Sequence, residues 1–570
     1  MVRAAWLLLI LTPVALPAAA QQTFIMPVPP GVVPGQMSPR DTSAATGTAR
    51  IRGHVYAADS GAPLRRAQIR LYSPELREGR LTTTDAQGAY EFKDLPPGRY
   101  NINASKGSYV GLSYGQRRPL ESGKPLEVLD GQTVEKIDFA LPRGSVATGR
   151  VVDEYGEPVA DAQIALMQMR FAQGRRRLVP AGRFGESNDA GEFRLFGIAP
   201  GQYYISATLR NVSFGADSDD RSGYAPSYFP GTANPAEAQR IRLDLGQSVS
   251  DVNIALVATR IARATGTVID AQGRPVTSGM VMGMPRGSTG MFFGPSGNAP
   301  IRSDGTFILS GLPPGDYMLR ANVGGMGFGD GTPEFATAEI TVNGEDVTGV
   351  RLITAKMVTL TGRVVVQDAA AAPSLKLPIR LSATPVMDQD EMTMWGGMRG
   401  GNVNDDFTFE LRVPPGKLRL MIGGPMPNWA IRAVRHNGID VTDSGIEVTA
   451  GGDTSGVEVE FTNHISEITG VVSDSRGEAA RDYTVLIFSQ DREQWTTNTR
   501  YRGIARPDQE GRFKARALPA GRYYAIALDG IDMNETADPE FLERVCTKAT
   551  TFTLNDGETK VIELKIQSPS

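Results

Sequence analysis

Apolar and polar residues alternate in short runs along most of the chain, and a period of two is typical of half-buried β-strands. In the run at 67–71, Ala67, Ile69 and Leu71 fall on one face, with polar residues between them. The run at 162–166 has the same phase. The pattern predicts an all-β protein made of many short strands joined by turns.

The stretch DAQGAYEFKDLPPGRY, residues 85–100, predicts a turn, a strand, a second turn and a return strand. Asp85 can accept hydrogen bonds from the turn backbone, and Gly88 can adopt a positive φ angle at no steric cost. The aromatic residues that follow alternate with polar ones, so we expect them to face a core. Pro97 cannot donate to a β-ladder and should end the strand, after which Tyr100 leads the chain back into the core.

Related stretches follow at 189–203, 304–317, 405–418 and 508–523, so the chain repeats with a period of about a hundred residues. Every unit opens with a glycine two positions before a valine, at Gly53, Gly149, Gly266, Gly362 and Gly470. The repeat predicts a tandem array of about five Ig-like or prealbumin-like antiparallel β-sandwich domains. The fourth is divergent, because Leu418 replaces the tyrosine. The predicted domains are 49–142, 145–257, 262–354, 358–462 and 466–566.

Length and composition agree with several turn-rich domains. A chain of 570 residues is too long for one core, and its 64 glycines and 38 prolines indicate many turns. The 59 basic residues nearly balance the 63 acidic ones, which argues against nucleic acid as a partner.

The first twenty residues have the pattern of a secretory signal peptide: Arg3, an apolar run too short to span a membrane, and small residues before Gln21. Residues 21–48 are rich in Pro, Gly, Ser and Thr and predict a flexible leader. No later stretch is long and apolar enough to form a transmembrane segment. Cys546 is the only cysteine, so no internal disulfide can form. We therefore expect an exported bacterial protein, periplasmic or extracellular.

Taken in order, Gly-x-Val, Asp, Gly-x-Pro, Ala-x-Ile-x-Leu and Pro-x-Gly-x-Tyr resemble the carboxypeptidase regulatory-like domain. That family is similar to the transthyretin-like and collagen-adhesin B-type sandwiches and is grouped with a carbohydrate-binding-like fold. The resemblance covers about residues 49–566 and is weak in the fourth unit. It implies seven strands in two sheets and a non-catalytic accessory role, and it does not imply carboxypeptidase activity.

Catalytic residues are scarce. The histidines are His54, His436 and His464. His464 and Glu467 match the His-x-x-Glu pair of zinc carboxypeptidases, but no histidine follows to complete a zinc site. We therefore predict no enzyme, no cofactor and no resident metal.

Two acidic clusters and a methionine-rich loop leave weak ion binding open. Neither cluster has the spacing of a calcium loop, and the methionines lack the nearby His or Cys that would favour copper(I). The clusters are Asp217, Asp219 and Asp220, and Asp388, Asp390 and Glu391; the methionines are Met392, Met394 and Met398.

Aromatic residues in the variable loops are the candidate binding residues, because such rings stack on sugar rings or on protein partners. Trp395, which is flanked by glycines and methionines, is the strongest candidate. The alternative is that these rings cover sandwich edges or fill gaps between units. The candidates are Tyr109, Tyr114, Tyr224, Tyr228, Phe229, Phe292, Phe293, Trp395, Trp495 and Tyr501.

These observations predict an exported, non-catalytic, multi-domain binding protein of the bacterial envelope, whose loops contact a polysaccharide or an envelope protein. The alternative is a structural stalk or scaffold that spaces other components without a ligand of its own. The short junctions at 142–144 and 258–264 predict semi-rigid stacking and suit both functions.

Overall fold

The computed structural model describes residues 47–568, apart from short gaps. The gaps are 74–75, 77–78, 117, 120, 173–174, 210–220, 287–296, 325–333, 376, 378, 387–399, 425, 427, 497, 509 and 534. The described residues form strands β1 to β44, one α-helix, α1, and three short 3-10 helices at Pro235–Glu237, Ala369–Ser374 and Arg492–Gln494, so the predicted all-β array is confirmed. Hydrophobic cores lie in five successive segments, named here sandwich 1 (49–141), 2 (145–260), 3 (262–356), 4 (358–462) and 5 (467–567).

Sandwiches 1 and 2 each stack a sheet containing the first strand against a sheet containing the second. Sandwich 1 has β1 (Ala49–Ala57), β2 (Gln68–Tyr72), β3 (Arg80–Thr83), β4 (Ala89–Leu95), β5 (Gly98–Ser105), β6 (Leu112–Ser113), β7 (Leu126–Val128), β8 (Thr133–Val134) and β9 (Phe139–Leu141). Sandwich 2 has β10 (Ser145–Val152), β11 (Gln163–Ala172), β12 (Arg175–Glu186), β13 (Glu192–Ile198), β14 (Gly201–Thr208), β15 (Ser222–Ala225), β16 (Ser227–Tyr228), β17 (Ile241–Leu243), β18 (Ser248–Val249), β19 (Ile254–Ala255) and β20 (Val257–Arg260).

Sandwiches 3 and 4 keep the same plan with longer closing strands. Sandwich 3 has β21 (Ala262–Ile269), β22 (Met280–Pro285), β23 (Asn298–Pro300), β24 (Thr306–Leu312), β25 (Gly315–Val323), β26 (Glu334–Val342), β27 (Val347–Ile353) and β28 (Ala355–Lys356). Sandwich 4 has β29 (Val358–Val366), β30 (Arg380–Pro385), β31 (Gly401–Asn402), β32 (Thr408–Val413), β33 (Gly416–Ile422), β34 (Ala430–His436), β35 (Ile439–Asp440), β36 (Ile446–Val448) and β37 (Thr454–Thr462).

Sandwich 5 differs because its last strand pairs with strands of both layers and so joins them into one seven-stranded sheet. Helix α1 (Pro539–Cys546) is capped by the Asp538 side chain, and its residues Phe541, Leu542 and Val545 are buried. The strands are β38 (Glu467–Ser473), β39 (Thr484–Ser489), β40 (Arg502–Ala505), β41 (Arg512–Arg516), β42 (Gly521–Leu528), β43 (Thr550–Leu554) and β44 (Thr559–Gln567).

The pairing departs from a purely antiparallel sandwich. In every unit the first strand pairs in parallel with a strand near the end of that unit, for example β1 with β9 and β38 with β44. The glycine of the Gly-x-Val motif lies at this pairing. A Cβ atom at Gly470 would lie 1.9 Å from the carbonyl oxygen of Ile562, and the other four units show separations of 1.9–2.2 Å. The repeated glycine therefore lets two backbones cross in close contact.

The Pro-x-Gly-x-Tyr motif forms a tyrosine corner. The hydroxyl of Tyr523 donates to the carbonyl oxygen of Pro519, four residues earlier, at 2.7 Å. Equivalent bonds join Tyr203 to Ala199 and Tyr317 to Pro313, and Tyr100 bonds Pro96 in the same way. The tyrosine thus satisfies a turn carbonyl while its ring fills the core.

The predicted turn chemistry is also confirmed. Asp85 accepts hydrogen bonds from the backbone N–H groups of Gln87 and Ala89 at 2.9 and 2.8 Å, and Gly88 has a φ of 76°. Tyr90 is buried beneath this turn, with 5% of its surface exposed.

Sandwich 5 contacts sandwiches that are distant from it in sequence. Against sandwich 1, the buried Arg506 donates to the carbonyl oxygen of Gly115, and Lys124 donates to the carbonyl oxygen of Arg481. Against sandwich 2, Arg176 pairs with Asp538 at 2.8 Å. The ends of the array are therefore joined by polar contacts.

Candidate functional site

Tyr109 lies at the junction of sandwiches 1 and 2. It forms a β-bridge with Arg143, whose guanidinium lies 5.7 Å from the centre of the tyrosine ring. Arg143 also pairs with Asp59 at 2.7 Å. This aromatic residue therefore packs between units, as the alternative interpretation of the aromatic loops expects.

Tyr114 is half-buried against the core of sandwich 1, and burial raises the pKa of its hydroxyl. Its neighbour Gly115 accepts the hydrogen bond from Arg506. Tyr114 is thus adjacent to the contact between sandwiches 1 and 5.

The aromatic group of sandwich 2 also packs inward. The Tyr224 hydroxyl donates to the Glu154 carboxylate at 2.7 Å, and this bond, with burial, raises the pKa of Tyr224 to about 12. Phe229 packs against the core of sandwich 2, and burial raises the pKa of Tyr228. These rings support the edge of their own sandwich.

Trp495 and Tyr501 lie together in sandwich 5. Trp495 is buried at 7% exposure, packs edge-on against Phe488 and donates its indole N–H to the carbonyl oxygen of Ser489. Its ring is therefore largely used in packing. Tyr501 is half-buried, and its hydroxyl donates to Asp443 of sandwich 4 at 3.3 Å.

Trp395, Phe292 and Phe293 lie outside the described residues, as do the two acidic clusters and the methionine-rich loop. Among the residues that are described, no three His, Cys, Asp or Glu side chains are grouped closely enough to hold a metal ion. His54 is exposed beside Asp138, and His464 lies apart from any such group within the described chain.

A cleft of about 1540 Å³, called here the central cleft, lies where sandwiches 2, 4 and 5 meet. One wall is the outer part of the β11–β12 hairpin, where Phe171 and Val179 line the cleft. These strands are 10 and 12 residues long, whereas β2 and β3 of sandwich 1 have five and four. The longer hairpin therefore reaches beyond its own sandwich to sandwich 5.

The floor of the central cleft is a charged network between sandwiches 4 and 5. Arg500 donates through Nε and Nη2 to the two oxygens of Asp443, each at 2.9 Å, and through Nη1 to the carbonyl oxygen of Arg432. Burial is the largest single effect and acts to lower the Arg500 pKa, but the hydrogen bond to Asp443, the Asp443 charge and the contact with Tyr501 together outweigh it, and the pKa is raised. The Arg500 guanidinium also lies 5.2 Å from the centre of the Tyr501 ring.

The network extends into sandwich 4 through Glu460, a buried carboxylate of β37. Arg432 and Arg435 donate to its two oxygens at 2.7 and 2.6 Å. Burial acts to raise the Glu460 pKa, but the two arginines outweigh it and the pKa is lowered. Arg432 also approaches Asp556 of sandwich 5 at 3.7 Å, so it links the two sandwiches.

Residues 50–142, which cover all but the first residue of sandwich 1, match the family of the carboxypeptidase regulatory-like domain. Sandwich 1 matches that domain in sequence. The match agrees with the resemblance carried by its motifs and begins one residue after the predicted start of the unit. The close-contact glycine recurs in the other four sandwiches, and the tyrosine corner recurs in all of them except sandwich 4, where Leu418 stands in place of the tyrosine. No curated protein matches the chain.

Solved structures to which the chain is similar include two bacterial pilins and a bacterial collagen binding protein. The minor pilin GBS52 of Streptococcus agalactiae is 13% identical, with 37% of this chain and 95% of that chain covered and a TM-score of 0.21. Two B repeat units of the collagen binding protein of Staphylococcus aureus are 11% identical, covering 73% and 100% at a TM-score of 0.12. A form of the major pilin subunit of Bacillus cereus is 12% identical, covering 53% and 99% at a TM-score of 0.13.

The arginines of the central cleft were not among the candidates from the sequence. The only local signal is the spacing of Arg500, Arg502 and Arg506 around Tyr501. The other cleft arginines, such as Arg170 and Arg419, come from sandwiches 2 and 4, and they meet only where these sandwiches contact sandwich 5. No periodicity within a unit encodes such an arrangement between units.

Proposed function

We propose that the chain is an exported, non-catalytic, multi-domain binding protein of the bacterial envelope, and that the central cleft holds its carbohydrate or protein ligand. The observation that carries the proposal is the cleft itself, which is built by three sandwiches at once. Ligands bind preferentially in concave sites at domain interfaces.

The contacts of sandwich 5 favour binding over the alternative of a stalk. A stalk needs each domain to contact only its neighbours in sequence. Here sandwich 5 contacts sandwich 4 through Arg500, sandwich 2 through Arg176 and sandwich 1 through Arg506. Such contacts create a shared concave surface, whereas a stalk would use its domains to gain length.

Export rests on the signal peptide predicted from residues 1–20. In the described part of the chain, no helix is long and apolar enough to cross a membrane. The proposal places the protein in the periplasm or on the cell exterior.

A binding screen tests the proposal. Residues 21–570 would be titrated against a polysaccharide panel and the producer's envelope fraction, with Tyr501→Ala and Trp395→Ala as variants. Tyr155→Ala is the matched control, because Tyr155 is 83% exposed and lies outside the central cleft. Saturable binding that Tyr501→Ala weakens and Tyr155→Ala does not would support the proposal. Absence of binding, or equal binding by the unmodified chain and the three variants, would contradict the proposal that the central cleft is the binding site.

A further inference from the structure

The central cleft carries a surplus of positive charge in an otherwise slightly acidic protein. Five arginines and two aspartates are among its described lining residues, which leaves three positive charges, whereas the whole chain has a net charge of −4. The arginines are Arg170, Arg419, Arg432, Arg500 and Arg502. A concave surface of one sign concentrates ligands of the opposite sign.

Two of these arginines account for much of the surplus. Arg170 donates to the neutral amide of Gln168, at 3.0 Å from Nη2. Arg419 donates to the backbone carbonyl oxygens of Asn498 and Asp443, and its buried Nε has no hydrogen-bond acceptor among the described residues. Arg500 and Arg432, in contrast, each pair with a carboxylate. Arg170 and Arg419 thus differ from Arg432 and Arg500, because their hydrogen bonds in the described chain go to uncharged acceptors.

The remaining polar groups of the cleft are of the kind that forms hydrogen bonds with the hydroxyl groups of a ligand. Thr496 and Asn498 are exposed on its wall, and the half-buried Tyr501 also lines the cleft. Such groups can donate to and accept from the hydroxyls of a sugar. The volume of about 1540 Å³ exceeds the roughly 300–1,000 Å³ that is usual for small-molecule sites, so a segment of a polymer fits better than a single small anion.

We infer that the central cleft binds a segment of an acidic polysaccharide, with carboxylates held by Arg170 and Arg419 and hydroxyls held by the threonine and asparagine wall. The inference rests on the proposed function and names the class of ligand for the same cleft. Charge-assisted bonds between guanidinium and carboxylate supply the selectivity for acidic over neutral sugars. An acidic peptide is the competing ligand, and the test separates the two.

Three polymers test the inference by calorimetric titration of residues 21–570. Polygalacturonate supplies carboxylates on sugar rings, its fully methyl-esterified form supplies the same rings without charge, and poly-L-glutamate supplies carboxylates on a peptide. We expect saturable binding of polygalacturonate alone, weakened roughly tenfold or more between 50 and 500 mM salt because screening shortens the range of the attraction.

The matched variants are Arg170→Gln, Arg170→Lys and Arg242→Gln. Arg242 is an exposed arginine of β17 outside the cleft, so its variant changes the net charge equally. Arg170→Gln should weaken binding of polygalacturonate about three- to tenfold, and Arg170→Lys and Arg242→Gln should weaken it less.

Stronger binding of the esterified polymer or of poly-L-glutamate would overturn the inference. Equal losses of polygalacturonate affinity in Arg170→Gln and Arg242→Gln would also overturn the inference. Binding of a neutral polysaccharide or an envelope protein that still depends on Tyr501 would leave the proposed function standing while the acidic ligand is rejected. If no polymer and no envelope component binds in either screen, both the proposed function and the inference are rejected.

Discussion

Arg176 and Asp538 lie 362 positions apart in sequence, and their side chains form an ion pair at 2.8 Å. Arg176 is near the tip of the β11–β12 hairpin, and Asp538 is the N-cap of α1, where its carboxylate also accepts from the backbone N–H of Glu540 at 3.0 Å. Glu540 adds a second carboxylate 3.0 Å from Arg176. One carboxylate thus both starts a helix and holds a distant hairpin against it.

The two roles of Asp538 are separable by substitution. Asp538→Asn keeps a good N-cap and removes the charge, whereas Asp538→Ala removes both. We expect Asp538→Ala to destabilise α1 by about 1 kcal/mol more than Asp538→Asn does. In a double-mutant cycle, Asp538→Asn and Arg176→Gln should couple by roughly 0.5–1 kcal/mol, since the arginine is partly exposed.

Hydrogen exchange measures both effects. Amides of α1 should exchange faster in Asp538→Ala than in Asp538→Asn, and amides of the hairpin should exchange faster in both variants. Unchanged exchange in the hairpin of either variant would show that the ion pair does not hold it against sandwich 5.

Removal of the hydroxyl alone from the tyrosine corner of sandwich 5 should lower the stability of that sandwich, even though the ring is kept. Tyr523→Phe keeps the buried ring and leaves the Pro519 carbonyl without its donor. We expect a loss of about 1–2 kcal/mol in the unfolding free energy of sandwich 5. Urea denaturation followed by hydrogen exchange of β42 measures it, with the exposed Tyr155→Phe as the control. Equal midpoints for the two variants would contradict the role of the hydroxyl.

The fold could be predicted from the sequence because it depends on local signals. The alternation at Ala67, Ile69 and Leu71 marks a buried face, and Asp85 with Gly88 specifies a turn within a few residues. The parallel pairing of the first strand with a strand near the end of the unit could not be predicted in this way, because residues 53 and 137 meet only after the whole unit has folded.

The candidate site was less predictable for a related reason. Aromatic loop residues look alike in sequence whether they bind a ligand or fill a gap. Tyr109 packs on Arg143, whereas Trp495 packs on Phe488 and also lines the central cleft, and the local sequence does not distinguish the two environments. Arg170 and Arg419 belong to different units, and only the folded chain places them in one cleft.

The glycine of the first strand predicts a sharp asymmetry between two Gly→Ala substitutions. At Gly470 an added Cβ would lie 1.9 Å from the carbonyl oxygen of Ile562, so β38 and β44 must separate. At Gly452 an added Cβ has no atom within 4 Å. We expect Gly470→Ala to cost more than about 3 kcal/mol or to prevent sandwich 5 from folding, and Gly452→Ala to change stability by less than about 1 kcal/mol. Urea midpoints of the two variants measure the difference, and similar midpoints would contradict the close crossing.

Glu460 predicts a loss of stability in acid. Its pKa is lowered in the folded protein because the bonds from Arg435 and Arg432 outweigh the effect of burial, so the folded state favours the carboxylate. The charged Glu460 therefore stabilises the fold fully above pH 4.5, the ordinary pKa of a glutamate. This stabilisation is lost as the pH falls below 4.5 through the folded-state pKa. Urea midpoints between pH 7 and 3 should therefore fall less for Glu460→Gln than for the unmodified chain, although the variant starts lower. Asp453→Asn, which changes an exposed carboxylate of the same sandwich, is the control. A Glu460→Gln curve parallel to the unmodified one would show that the Arg432–Glu460–Arg435 group does not set the acid sensitivity of sandwich 4.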